Sequence, residues 1–171
     1  MAIEFTNGFS LSKVPPPTYT IGQTALGGVI AYINGGGSTG TSGLVATLSL
    51  GSNCNWGCEG TDIPGATATA IGTGAANTVA IVNACNQSNI AAKLASDLTE
   101  GGYSDWYLPS YDELYQLYVN RNAIGGFGGE VEFWSSTQFN STNAYAIFLF
   151  DGSWRTPAKT ANIFYRAIRN F

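Results

Sequence analysis

The sequence predicts a single α+β domain, and three observations predict it. Strand-like runs open and close the chain while helical spacing fills its middle. The 171 residues suit one core, since a domain of this size buries roughly 70% of the surface that its unfolded chain exposes. The 22 glycines, 11% charged residues and 44% apolar residues describe a packed, loop-rich body, where an average soluble protein carries roughly 25% charge. That composition excludes disorder and coiled coil.

Residues 1–20 read as an arm and a linker. Ile3, Phe5 and Phe9 alternate loosely, with Leu11 beyond them, before Pro15, Pro16 and Pro17 impose an extended, polyproline-like spacer. From residue 21 to 171 the chain reads as the domain proper. Val29–Ile33, rich in β-branched residues and bounded by glycines, has the grammar of a strand, and Leu44–Leu50 reads as its partner. Small and aliphatic residues at helical spacing predict helices over Ala75–Cys85 and Ile90–Leu98. In the second, Ile90, Leu94 and Leu98 lie four apart and Asn89 is available as N-cap. A third helix is predicted over 110–120, where Ser110 and Glu113 have capping-box spacing and Leu114, Leu117 and Tyr118 form the apolar face. Strands return at Phe133–Ser136, Ala144–Phe150 and Phe164–Arg169, with Asp151-Gly152 as a turn.

Charge and residue usage exclude several functions. Seven basic against eleven acidic residues leave a net charge of −4, so nothing attracts a phosphate backbone and no nucleic-acid partner is expected. The chain has no histidine, which removes the usual general base and the commonest metal ligand together. Serine triads, cysteine–histidine pairs and histidine zinc sites are thereby excluded, and no cofactor is expected. Met1–Lys13, with Glu4 and polar interruptions, lacks the basic start and apolar run of a Sec signal. No stretch approaches the roughly 20 apolar residues of a membrane span. An extracellular placement then requires another export route or a leader already removed. Three cysteines are compatible with an oxidising compartment and leave one free or paired elsewhere.

The most distinctive stretch is Gly101-Gly102-Tyr103-Ser104-Asp105-Trp106-Tyr107-Leu108-Pro109-Ser110. Downstream follow Ile124-Gly125-Gly126-Phe127, Phe133-Trp134-Ser135-Ser136-Thr137, Asp151-Gly152-Ser153 and the ending Tyr165-Arg166-Ala167-Ile168-Arg169-Asn170-Phe171. In this order, and with Ile21-Gly22, Gly27-Gly28, Trp56-Gly57-Cys58 and Ala70-Ile71-Gly72-Thr73-Gly74, the motifs resemble the C-terminal domain family of the Legionella collagen-like adhesin over residues 21–171. The resemblance implies a compact C-type-lectin-like domain, with short helices and a twisted, mostly antiparallel sheet, that acts as a binding module and not as an enzyme. It also implies a homo-oligomer, since the domain of the founding adhesin is a trimer that binds sulfated polysaccharides. That ligand suits this chain poorly, because a polyanion needs a basic surface and three of the seven basic residues are Arg155, Arg166 and Arg169. The family further implies a disulfide between Cys58 and Cys85, leaving Cys54 free.

These readings converge on a non-catalytic recognition or decoration protein of a bacteriophage virion surface, as capsid decoration, fibre or tail-tip adhesin, binding a host-surface glycan or protein. The rival is an exported bacterial adhesin subunit at the cell surface. A distant third is a cysteine-dependent oxidase related to formylglycine-generating enzymes, suggested by Cys54 and Cys58, although their spacing is not Cys-x-x-Cys. Gln138, Asn140, Ser141, Asn143, Trp154 and Arg155 are the candidate ligand residues, since amides beside aromatics suit sugar hydroxyls and protein surfaces; the competing reading makes them ordinary hairpin loops. Arg166 and Arg169 are expected in structural ion pairs with Asp105, Asp112 or Glu113. Trp106, Trp134, Phe148 and Phe150 are expected in the core. Capping and solvent exposure account for Asp112, Glu113, Glu130 and Glu132 better than a glycosidase pair does. Oxygen ligands such as Asp62, Asp105 and Asp151 leave a metal unassigned. Ile3, Phe5, Phe9 and Leu11 either dock the arm on a neighbouring subunit or fold back on their own domain.

Overall fold

The structure, a computed structural model, describes residues 14–129 and 131–171. The arm residues Ile3, Phe5, Phe9 and Leu11, and Glu130 of the carboxylate set, lie outside the described residues. Among the described residues eleven strands and four α-helices follow in the order β, α, β. The first strands are β1 (Tyr19–Thr20), β2 (Thr24–Ala25), β3 (Gly28–Ile33), β4 (Thr39–Gly40), β5 (Gly43–Ala46) and β6 (Gly51–Cys54). A 3-10 turn at Pro64–Ala66 leads to α1 (Gly74–Ala84), α2 (Ala91–Ser96), α3 (Tyr111–Val119) and α4 (Arg121–Ile124). The chain closes with β7 (Glu132–Gln138), β8 (Ala144–Phe148), β9 (Ser153–Arg155), β10 (Ile163–Tyr165) and β11 (Ile168–Asn170).

The ladders fall into three sheets and not one. A five-stranded sheet runs β6-β10-β7-β8-β9, a four-stranded sheet runs β11-β5-β3-β2, and β1 pairs with β4. Among the pairs of described strands only β10–β7 is parallel, and an isolated parallel bridge joins Asn55 to Ile90. The strand expected over Leu44–Leu50 ends at Ala46, because the chain leaves the four-stranded sheet there and enters the five-stranded one as β6. The strand expected over Phe164–Arg169 is likewise two, β10 in one sheet and β11 in the other, with Arg166 and Ala167 between them.

Alternation along these strands feeds two apolar clusters. One gathers Ile30, Val45, Trp56, Ile81, Trp106 and Trp134, and the other Leu44, Leu114, Leu117, Phe133, Ile147 and Ile168. The three buried indoles still find acceptors, Trp56 Nε1 donating to the Ser135 carbonyl at 2.9 Å, Trp106 Nε1 to that of Tyr103 at 3.1 Å and Trp134 Nε1 to that of Cys54 at 3.0 Å. Two of the aromatics expected inside are placed otherwise. Phe148 is half-buried, and Phe150, on the turn that closes β8, is 65% exposed.

The helices follow their local signals where a side chain can satisfy a terminus. Ser110 caps α3 by a capping box: its hydroxyl accepts from Glu113 N, and the Glu113 carboxylate accepts from Ser110 N at 2.8 Å. Asn89 does not cap α2. Ile90 holds that position without a side-chain bond and belongs to the core.

Candidate functional site

The C-terminal arginines divide between two kinds of partner. Arg169 makes the expected ion pair: Nε and Nη2 reach the two carboxylate oxygens of Asp105 at 2.6 and 2.9 Å, and its guanidinium lies 3.8 Å from the Tyr103 ring centre. The hydrogen bonds from Arg169 hold the Asp105 carboxyl below the usual range, and burial opposes them only in part. Arg166 corrects the expectation. It is fully buried at the break between β10 and β11, and among the described residues no carboxylate lies within ion-pair distance of it. Nε and Nη2 donate to the Thr47 carbonyl at 3.0 and 2.7 Å, Nη1 donates to the Gly125 carbonyl at 2.7 Å, and the guanidinium covers Phe127. Burial lowers its pKa to about 10. A planar fork of donors suits three such bonds to carbonyls from two loops.

Asp112 and Glu113 therefore pair with no arginine. Glu113 is buried and accepts from Ser110 N and Gly72 N at 2.8 Å each, and from the Tyr107 hydroxyl at 3.3 Å. Burial raises its pKa, and these donors pull it back. Such a carboxylate ties the 70–74 loop to α3.

Cys58 and Cys85 form a disulfide. Cys54 is free and buried, and burial pushes its thiol up to about 12. A cysteine pair at 54 and 58 is thus replaced by a spent Cys58 and an inert, protonated Cys54.

The predicted ligand set separates into three locations. Gln138 is buried: its carbonyl oxygen accepts from Ile63 N at 3.0 Å and from Lys159 Nζ at 2.7 Å, and its amide donates to Asp62. It is a structural residue and leaves the ligand face. Arg155 is exposed on the opposite face of the β8–β9 hairpin from Trp154, paired with Glu132 at 3.2 Å and 4.8 Å from the Phe148 ring centre. Asn140, Ser141 and Asn143 lie on the β7–β8 turn. There Asn140 Oδ1 accepts from Thr142 N at 2.9 Å and from Asn143 N at 2.8 Å, and Asn143 Nδ2 donates to the Thr156 carbonyl at 2.8 Å. The Ser141 carbonyl accepts from Gly60 N at 2.9 Å. Those amides hold the turn.

The structure brings together beside that turn a cluster of rings that the sequence reading names only in part. Trp154 stacks on Tyr111 with ring centres 3.6 Å apart and planes 14° apart, and Tyr145 meets both edge-on at 5.0 and 6.3 Å. Phe139, 52% exposed, meets Tyr145 edge-on at 5.3 Å. Tyr115, one helical turn after Tyr111, is 41% exposed. The capping box fixes where Tyr111 enters α3, and alternation in β8 and β9 sends Tyr145 and Trp154 to the same face. Tyr111 and Tyr145 are far apart in sequence, so no local spacing signals their meeting. The result is an aromatic ledge whose edge is hydrogen-bonded polar turn.

Among the described residues no group of three or more His, Cys, Asp or Glu side chains gathers as a metal site. Among them, too, no helix is long and apolar enough to cross a membrane.

No family model and no curated protein matches the chain significantly. A fimbrial protein from Bacteroides ovatus ATCC 8483 aligns with 74% of this chain at 16% identity and a TM-score of 0.46. The chain spans about a third of that protein, the aligned part being 35% of its length.

Proposed function

We propose that this chain is a non-catalytic, C-type-lectin-like recognition domain of the collagen-like-adhesin C-terminal family, displayed on a bacteriophage virion surface, with the aromatic ledge as its face for a host-surface glycan or protein. The observation that carries the reading is the ledge itself. Phe139, Tyr145, Trp154 and Tyr111 form a continuous packed aromatic surface at the edge of the domain. A soluble chain normally buries such rings, and a rigid aromatic patch rimmed by polar backbone is what sugar and protein recognition uses. Other features support the same reading. Cys54 is inert, Glu113 is spent on backbone donors, and the Cys58–Cys85 disulfide suits an oxidising surface location. The N-terminal arm, through Ile3, Phe5, Phe9 and Leu11, joins the domain to neighbouring subunits in a homo-oligomer, with the prolines as spacer.

Glycan-array and host-cell binding test this with the full chain, the Trp154→Ala and Tyr145→Ala variants, and Arg155→Ala as a control on the opposite face. Binding that falls at least about tenfold in the two ledge variants, with the control unchanged, supports the reading. Ledge variants that bind as the parent does would move the site elsewhere. Deleting residues 1–14 tests the arm, since a truncated chain that still assembles would remove its anchoring role.

A further inference from the structure

A cleft of about 710 Å³ opens between the 55–59 loop and the Asn86-Gln87-Ser88-Asn89 segment, with Lys159 and Thr160 at its base. Its walls are built to stay apart at a fixed distance. The Cys58–Cys85 disulfide joins them, Ala91 N donates to the Asn55 carbonyl at 2.9 Å, and Cys58 N donates to Gln87 Oε1 at 3.2 Å. The base is fixed as well: the Lys159 carbonyl accepts from Trp56 N at 2.9 Å and from Gly57 N at 3.2 Å. The loop carries two residues with left-handed backbone, Gly57 at φ +106° and Cys58 at φ +46°. A non-glycine residue in that region persists only where its surroundings over-determine it, and such strain gathers at functional sites.

The polar groups facing this cleft are largely uncommitted. Asn86, Ser88 and Asn89 are exposed, and their side chains bond to nothing among the described residues. Gln87 uses its oxygen on Cys58 N and keeps its amide N–H groups, and Glu59 receives the Thr160 hydroxyl on one carboxylate oxygen at 2.6 Å and keeps the other. The only basic residue among the described lining residues, Lys159, turns its ammonium away into the protein, onto the Thr61 carbonyl at 2.8 Å, Gln138 Oε1 at 2.7 Å and the Trp56 ring face. A sulfate or carboxylate on a ligand would meet Glu59 and no cation.

We infer that this cleft is a binding site for a neutral saccharide of two or three units. Side-chain amides offer a donor and an acceptor side by side, which matches pairs of adjacent sugar hydroxyls, and a carboxylate accepts from them without requiring charge on the ligand. The volume lies within the range of small-ligand sites. Among the described residues no large apolar side chain lines the cleft to seat a peptide anchor. The site is separate from the aromatic ledge, so either can fail without the other.

The test is a titration of the isotope-labelled full chain, followed by NMR, with maltotriose, chitotriose and mannotriose as neutral probes and a heparin disaccharide as the acidic one. At least one neutral trisaccharide is expected to shift the side-chain amide signals of Asn86, Gln87 and Asn89, while the heparin disaccharide leaves them in place. The Asn86→Ala/Asn89→Ala double variant, whose changes are at exposed positions, should weaken that binding about tenfold, as two lost hydrogen bonds of ordinary strength imply. Trp154→Ala should leave it unchanged. Shifts confined to Tyr111, Phe139, Tyr145 and Trp154, stronger binding of the acidic probe, or no shift in 86–89 with any neutral probe would each overturn the inference. The first of these outcomes leaves the ledge reading intact.

Discussion

Asparagines of the β7–β8 turn and asparagines of the Asn86–Asn89 segment are the same residue type in loops of similar length, yet they do opposite work. Asn140 and Asn143 are consumed in holding their turn, the Asn140 side chain accepting from the backbone N–H groups of Thr142 and Asn143 and the Asn143 side chain donating to the Thr156 carbonyl. Asn86 and Asn89 keep their amides for solvent or ligand, because other groups hold their segment: a disulfide, a main-chain bridge and the oxygen of Gln87. Where covalent and backbone restraints fix a loop, its polar side chains are left over; where they do not, the side chains become the restraint. An exposed amide is therefore informative only together with what holds its backbone.

The largest test of this contrast removes the covalent restraint. Replacing both Cys58 and Cys85 by serine opens a loop of 27 residues, which should cost about 3–4 kcal/mol. Calorimetry should find the melting temperature lower by roughly 6–16 °C. Saccharide shifts in 86–89 should be lost while the ledge keeps its near-ultraviolet aromatic signal in the folded fraction. If the double variant melts with the parent, main-chain bonds alone hold the cleft wall, and the disulfide has no part in the contrast. Next in size is Gly57→Ala. Its Cβ would stand 2.5 Å from Ile90 Cγ2, on a backbone at φ +106°, so a cost of about 2–3 kcal/mol is expected from strain and clash together. Denaturant titration checks it, and an unchanged midpoint would mean that the loop can relax.

A third test addresses Lys159, whose carbonyl forms the cleft base and whose ammonium holds Gln138 behind the turn. Burial lowers its pKa to about 8 from the ordinary 10.5, with Asp62 pulling it partly back. Between those two values the unfolded chain keeps the Lys159 proton that the folded one has lost, so Lys159 contributes a rise in stability from about pH 8 to 10.5, which the Cys54 thiol, raised from 9.0 to about 12, opposes above about pH 9. Lys159→Met should flatten that part of the profile. At neutral pH the variant should lose about 1–2 kcal/mol, because the Thr61 carbonyl is left without its Lys159 donor and Gln138 Oε1 keeps only Ile63 N. A slope that survives the substitution would assign it to another group.

Much of the fold is legible in the sequence because its signals are local. Ser110 and Glu113 announce α3 three residues apart, and a β-branched apolar run bounded by glycines announces β3. What stays hidden depends on partners distant in the chain. The break at Arg166 is invisible because alternation continues through it, and only the Thr47 and Gly125 carbonyls explain why a charge sits there. Gln138 looks like a loop amide beside Phe139 and Asn140. Its burial comes from Lys159 and Asp62, 21 and 76 residues away. Of the candidate site, Trp154 is legible as an aromatic in a turn-rich segment. Its partner Tyr111 reads only as the start of a helix, since no sequence pattern brings α3 against β9.

The smallest test returns to the asparagines and isolates the contrast. Asn140 Oδ1 accepts from the backbone N–H groups of Thr142 and Asn143, and lies 3.0 Å from the Thr142 hydroxyl. Alanine there removes the acceptor and leaves two turn N–H groups to water, which reaches them because the turn is exposed. The cost is then near the lower end of what a capping side chain contributes, about 1 kcal/mol. Ligand binding at the ledge should not change directly, since the amide that is lost points into its own turn. Asn86→Ala should behave in the opposite way, with an unchanged unfolding midpoint and weaker saccharide binding in the cleft. Urea unfolding and the same NMR titration, run on both variants, read the two effects side by side. Equal stability losses would mean that Asn86 also restrains its segment, and equal binding losses would mean that Asn140 reaches the ligand after all. Either result would dissolve the distinction between amides that hold a loop and amides that a held loop presents.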